Sequence, residues 1–123
     1  MKLEEEARKY MKDKLFIEEV ITPDLYENLA GQTAIFPKEK ALEYLALGMT
    51  SEAGEVAGKV KKLIRDGEGD KVAIASEIGD VLWYCAMMAK EVGVPLNTIM
   101  KENLKKLHDR KERGTLAGSG DTR

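Results

Sequence analysis

The chain is poor in the residues that cross-link, kink or pleat a small protein. One cysteine, Cys85, among 123 residues excludes an intramolecular disulfide and predicts a chain made for a reducing compartment, the cytoplasm. One histidine, His108, has Lys105 three residues before it, which excludes the paired Glu-x-x-His motifs of a redox di-iron bundle. The three prolines each stand where a helix can begin, and the β-branched runs expected of strands are missing. The apolar run "VLWYCAMMA" is too short to span a bilayer as a helix, and "MKLEEEARKY" lacks the apolar centre of a secretory leader. A net charge of −2 gives no overall pull toward a nucleic-acid polymer or an anionic membrane. No G-x-x-x-x-G-K-[ST] stretch is present, so the chain is not a P-loop enzyme.

What remains is 43% hydrophobic and 34% charged, the profile of one soluble domain. The patterning predicts an all-α helical bundle. Residues 1–20 form an N-terminal amphipathic extension, 21–113 a four-helix core, and 114–123 a glycine-rich tail. Thr22, Pro23 and Asp24 read as the N-cap, first position and first turn of a helix. A long helix is expected over 38–65, with a break near Gly48–Ser51. The stretch "DGEGD" is a turn, Asp70 caps a helix over 71–92 that Gly93 ends, and Pro95 opens another to residue 112. Two buried stripes follow from helical spacing. One is Leu42, Leu45, Met49, Val56 and Leu63; the other is Ile74, Ile78, Val81, Cys85, Met88 and Val92.

Carboxylates sit on or beside both stripes. Glu52 takes a place in the rhythm between Met49 and Val56, and Glu55 lies about 60° round the same helix. Glu77 and Asp80 flank the second stripe, with Tyr84 seven residues after Glu77. If the two helices run antiparallel, four like charges converge and must protonate, pair with bases or bind a cation. An all-oxygen donor set selects a hard divalent ion such as Mg²⁺, with Mn²⁺ or Ca²⁺ as alternatives. Either pair alone is what any solvated helix face offers. An EF-hand reading of Asp66–Glu77 fails because Lys71 stands where that loop needs glycine.

The last helix supplies the opposite sign. Asn103, Lys106 and Arg110 share one face, and two cations with an amide suit a phosphate chain. The plain alternative is a basic helix end that complements the helix dipole. Two helical glycines, Gly54 and Gly58, are one turn apart, and their cost is explained if another helix approaches closely there.

"SEAGEVAGKVKK", "EIGDVLWY" and "NLKKLHDRKERG", with "TAIFP" and "GSGDTR", resemble the MazG-like all-α nucleotide pyrophosphohydrolases over residues 24–123. The E-x-x-E…E-x-x-D signature falls on Glu52, Glu55, Glu77 and Asp80. The resemblance implies that these four hold Mg²⁺ (Mn²⁺ a substitute); a carboxylate not fully used in coordination can activate a water, and Glu55 is the candidate for that role. The resemblance also implies that Asn103, Lys106 and Arg110 contact substrate phosphates and that Lys59 and Tyr84 line the site. It further implies hydrolysis of a nucleoside triphosphate, a non-standard or surplus one included, to monophosphate and pyrophosphate. The assembly it implies is a homodimer or homotetramer, and residues 1–20 have no counterpart in it. Base recognition would fall to residues such as Gln32, Phe36 or Trp83. A different class of function, a non-catalytic helical interaction module with charged faces, fits the same charge pattern.

Overall fold

Thr22 and Pro23 start the first described helix as the local chemistry requires. The Thr22 hydroxyl accepts from the Leu25 N–H at 3.1 Å, and Pro23 takes the first turn, where its missing N–H costs nothing. This helix, α1, spans Pro23–Gly31. The computed structural model describes residues 20–121 and 123, and Glu5 alone before them, so the helix expected over 2–20 lies outside the described residues. After a loop and a short 3₁₀ turn (Lys38–Lys40) come α2 (Ala41–Asp66), α3 (Lys71–Val92) and α4 (Leu96–Glu112). There is no strand among the described residues, and the fold is the all-α bundle that the sequence predicts.

The punctuation falls where the residue types demand it. Gly67 ends α2 at φ 74° and Gly93 ends α3 at φ 75°, left-handed conformations that glycine adopts without strain. Asp70 caps α3, its carboxylate accepting from the Val72 N–H at 2.9 Å. Two expectations need correction. The break predicted near Gly48–Ser51 is absent, and α2 is one unbroken helix of 26 residues. Nor, among the described residues, does any helix seat on Gly54 or Gly58: none of them comes within 4 Å of a Cβ built at either. The glycine that admits a neighbour is Gly48. A Cβ there would meet the Tyr84 ring, so the helical cost of Gly48 is offset by the packing it permits.

Helices α2 and α3 pack lengthwise against each other, while α1 lies on α3 and α4 touches α1 and α3. Gly48 meets Tyr84 and Lys59 meets Glu77, so moving forward along α2 moves backward along α3; the pair is antiparallel. The core is Ala30, Leu45, Ala86 and Met87, with Tyr26, Phe36, Trp83, Tyr84 and Leu96 packed round it. On α3 the centre of burial is therefore rotated from the predicted stripe. Ala86, Met87 and Ala89 are buried while Ile78 and Val92 are exposed, because α1 as well as α2 covers α3. On α2 only Leu45 of the predicted stripe is fully buried, and Leu42 is half exposed.

Large apolar side chains remain on the outside of α2, α3 and α4, among them Ile64 at 78% exposure and Leu104 at 66%. Helix α3 has 22 residues and a mean hydropathy of 1.4 over its most apolar 18-residue window, the length and composition of a membrane-crossing helix. Counting an uninterrupted apolar run, as the sequence reading did, misses this. In the fold α3 is the central helix, and it carries Glu77 and Asp80.

Candidate metal centre

Antiparallel packing of α2 on α3 brings carboxylates from the two helices together. Glu52 of α2 and Glu77 and Asp80 of α3 each present an oxygen, and these atoms lie within 4.8 Å of one another. Asp80 is exposed and the two glutamates are half-buried, so the group opens to solvent on one side. The Glu52 carboxyl is held above its ordinary pKa, by partial desolvation first and then by the charges of Asp80, Glu77 and Glu55. Three carboxylate oxygens crowded from two helices form the all-oxygen donor set that suits a hard divalent cation.

The fourth carboxylate stands apart. Glu55 is exposed and outside the three-carboxylate group, although its charge reaches Glu52. Its position three residues on turns it about 60° round α2, toward water. Lys59, one turn further, bonds Glu77 across the two helices at 3.3 Å. One of the compensations expected for crowded carboxylates, pairing with a base, is thus already present at the edge of the group. Tyr84 lies beside the group, near Glu52 and Asp80. Its hydroxyl is raised in pKa by burial and by its neighbours Tyr44, Glu52 and Asp80.

The basic face of the last helix does not form as predicted. Asn103 and Lys106 are exposed and line an open groove with Val94, Thr98, Ile99 and Glu102. Among the described residues α4 makes no packing contact with α2, so this face is not laid against Glu52 within the chain. Arg110 requires a correction. It is only 5% exposed, and its guanidinium donates to the Asp121 carbonyl at 2.5 Å.

The cause is the tail. Gly114 (φ 70°) reverses the chain after α4, and the Thr115 N–H closes the turn on the Arg110 carbonyl at 2.8 Å. The returning tail is then pinned by Arg113 to the Arg123 carbonyl at 2.9 Å, and by Arg123 to the carbonyls of Leu116 and Gly120. Helical spacing alone carries no sign of a tail folding back, which is why the face looked continuous.

Two tyrosines were missed. Tyr26 of α1 feels the charge of Asp80 in addition to its own burial. Tyr44 of α2 neighbours the Tyr84 hydroxyl and stacks on Phe36, ring centroids 5.6 Å apart. The i, i+4, i+8 run Tyr44–Gly48–Glu52 was a legible signal, since it puts an aromatic, a gap and a carboxylate on neighbouring turns. Trp83, a candidate for base recognition, is tied down instead: its indole N–H donates to Thr33 Oγ1 at 2.8 Å and to the Ala30 carbonyl at 3.2 Å.

The chain is thus an all-α bundle whose two central helices bring together an all-oxygen acidic group with the donor set of a cation site. Within it, residues 40–115 match the model of the MazG nucleotide pyrophosphohydrolase domain, and the chain belongs to that family. It is 41% identical over 111 residues to the Gene 37 protein of Mycobacterium phage L5, covering 81% of this chain and 97% of that one. No solved structure matches the chain.

Proposed function

We propose that the protein is a Mg²⁺-dependent hydrolase that converts a nucleoside triphosphate, standard or modified, to the monophosphate and pyrophosphate. The observation that carries this reading is the group Glu52, Glu77 and Asp80, three carboxylate oxygens within 4.8 Å on two antiparallel helices. The family membership supplies the nucleotide. Glu52, Glu77 and Asp80 would hold the cation, Mg²⁺ or Mn²⁺, with Glu55 at the rim. An ion held by these residues would supply polarisation of phosphate oxygens and a lowered pKa for a bound water.

The chain's own groups do the rest. Glu55, exposed and outside the close group, accepts the proton of the water that attacks the α-phosphorus. The bond from that phosphorus to the bridging oxygen breaks, and pyrophosphate leaves. Lys59 sits at Glu77 and exchanges that partner for a phosphate oxygen when substrate arrives. Asn103 and Lys106 meet the phosphates from the α4 of a second copy, a reading favoured by the absence of α4–α2 packing within one chain. The active assembly is accordingly a homodimer or homotetramer, which the exposed apolar faces of α2 and α4 also support.

The test is product analysis on a panel of standard and modified nucleoside triphosphates, separating monophosphate plus pyrophosphate from diphosphate plus phosphate. Glu52→Gln and Asp80→Asn are expected each to lower Mg²⁺-dependent pyrophosphate release by at least about 100-fold, as removal of a positioned catalytic group does. Undiminished turnover in either variant removes the site assignment.

A further inference from the structure

Tyr44 has no part in the metal site, yet it is built into its wall. Its ring stacks on Phe36, centroids 5.6 Å apart and planes inclined by 21°. It nevertheless remains 42% exposed, so the ring is backed on one side and open to solvent. Its hydroxyl neighbours that of Tyr84, and the Tyr84 hydroxyl in turn feels Glu52 and Asp80. Tyr84 reaches this position only because residue 48 is glycine. A Cβ on Gly48 would overlap the Tyr84 ring at Cε1 and Cζ. From the other side the Trp83 ring meets Tyr84 edge-on, centroids 5.0 Å apart, and Trp83 is fixed by its two hydrogen bonds to the end of α1 and the loop after it. The result is a rigid aromatic wall running from Phe36 to the carboxylates. Its one open ring, Tyr44, lies two turns of α2 before Glu52, about 12 Å along the axis.

We propose that Tyr44 is the stacking platform for the base of the bound nucleotide, and that Gly48 and Tyr84 are the positioning residues that hold it there. The inference rests on the nucleotide reading of the preceding section and adds the place and the residue by which the base half is gripped. A planar ring backed by a second ring offers a π-face at little entropic cost, and stacking tolerates every base. Such a platform grips any nucleotide by its base while the carboxylates and their cation hold the phosphates. Trp83, tied at its indole N–H, is not free to serve.

The experiment compares two ligands in the presence of Mg²⁺: a nonhydrolysable nucleoside triphosphate analogue and inorganic tripolyphosphate. Binding of each is measured by calorimetry on wild-type protein, Tyr44→Ala, Tyr44→Phe and Gly48→Ala. Tyr44→Ala is expected to weaken the nucleotide about tenfold, the worth of one base–aromatic stack, and to leave tripolyphosphate unchanged. Tyr44→Phe keeps the ring and stays within about threefold of wild type. Gly48→Ala, which displaces Tyr84, is expected to weaken the nucleotide as well. Tyr44→Ala gives up the Phe36 stack, so a melting curve checks that the variant is fully folded at the temperature of the binding measurement. Nucleotide binding unchanged in Tyr44→Ala overturns the platform, as does an equal loss for both ligands. Wild-type protein that releases no pyrophosphate from any triphosphate overturns the preceding section instead, so the two failures are told apart.

Discussion

Glu52 carries a conflict that a cation would resolve. Partial desolvation and the charges of Asp80, Glu77 and Glu55 raise its carboxyl pKa in the folded state above the value of an unfolded glutamate. The folded chain then binds this proton more tightly than the unfolded one. The contribution of Glu52 to stability is therefore present below the ordinary carboxylate range and is lost as pH rises through the raised value. In divalent-free buffer Glu52→Gln is expected to raise the melting temperature at pH 7 and to change it little at pH 4. Scanning calorimetry at the two pH values checks this, and a larger gain at pH 4 contradicts it. The four carboxylates were legible from helical spacing, because i, i+3 and i, i+4 positions share a face whatever the tertiary fold. Which three of them converge was not, since that depends on how α2 and α3 are rotated against each other. The burial of Arg110 was hidden for a related reason: it is set by a tail carbonyl eleven residues away, and no periodicity encodes that.

The helix ends were legible at the scale of the element. Thr22, Asp70, Gly67 and Gly93 each satisfy orphan backbone groups locally, so their residue types announce the boundaries of α1 to α3. The interior of α2 was not, because its glycines look alike in sequence and differ in surroundings. Gly48 faces the Tyr84 ring, while Gly54 and Gly58 meet nothing among the described residues. The expected consequence is opposite signs. Gly54→Ala and Gly58→Ala each stabilise by about 0.5–1 kcal/mol, the helix-propensity gain of alanine over glycine. Gly48→Ala destabilises, since the Tyr84 ring must leave its seat. Urea denaturation of the three variants decides the matter. A loss of stability at Gly54 or Gly58 would show that some surface, a second copy included, closes on those positions. The rotated stripe on α3 has the same origin: α1 and α2 both cover it, and periodicity read on one helix cannot know of two neighbours.

The described residues leave much apolar surface outside a small core. Leu45 is the one large side chain fully buried among the described residues, while Ile64, Val72 and Leu104 are each two-thirds exposed or more. Among the described residues every position of α4 from Ile99 to Asp109 is exposed, with Met100, Leu104 and Leu107 along it. Apolar faces of this extent on two elements fit a symmetric interface, where the same patch is used twice. If α4 also brings Asn103 and Lys106 to the carboxylates of the other copy, then assembly and activity must fall together. Sedimentation velocity is expected to show the wild type as a dimer or tetramer and Leu104→Glu as a monomer, because a charge at the centre of an apolar patch is desolvated without a partner. In that variant Mg²⁺-dependent pyrophosphate release is expected to drop by at least about tenfold, the loss of one positioned charged contact. The Mg²⁺-induced rise in melting temperature should persist, since Glu52, Glu77 and Asp80 all belong to one chain. A monomeric Leu104→Glu with full activity would place Asn103 and Lys106 outside the substrate site, and a wild type that is itself monomeric and active would remove the role of the second copy.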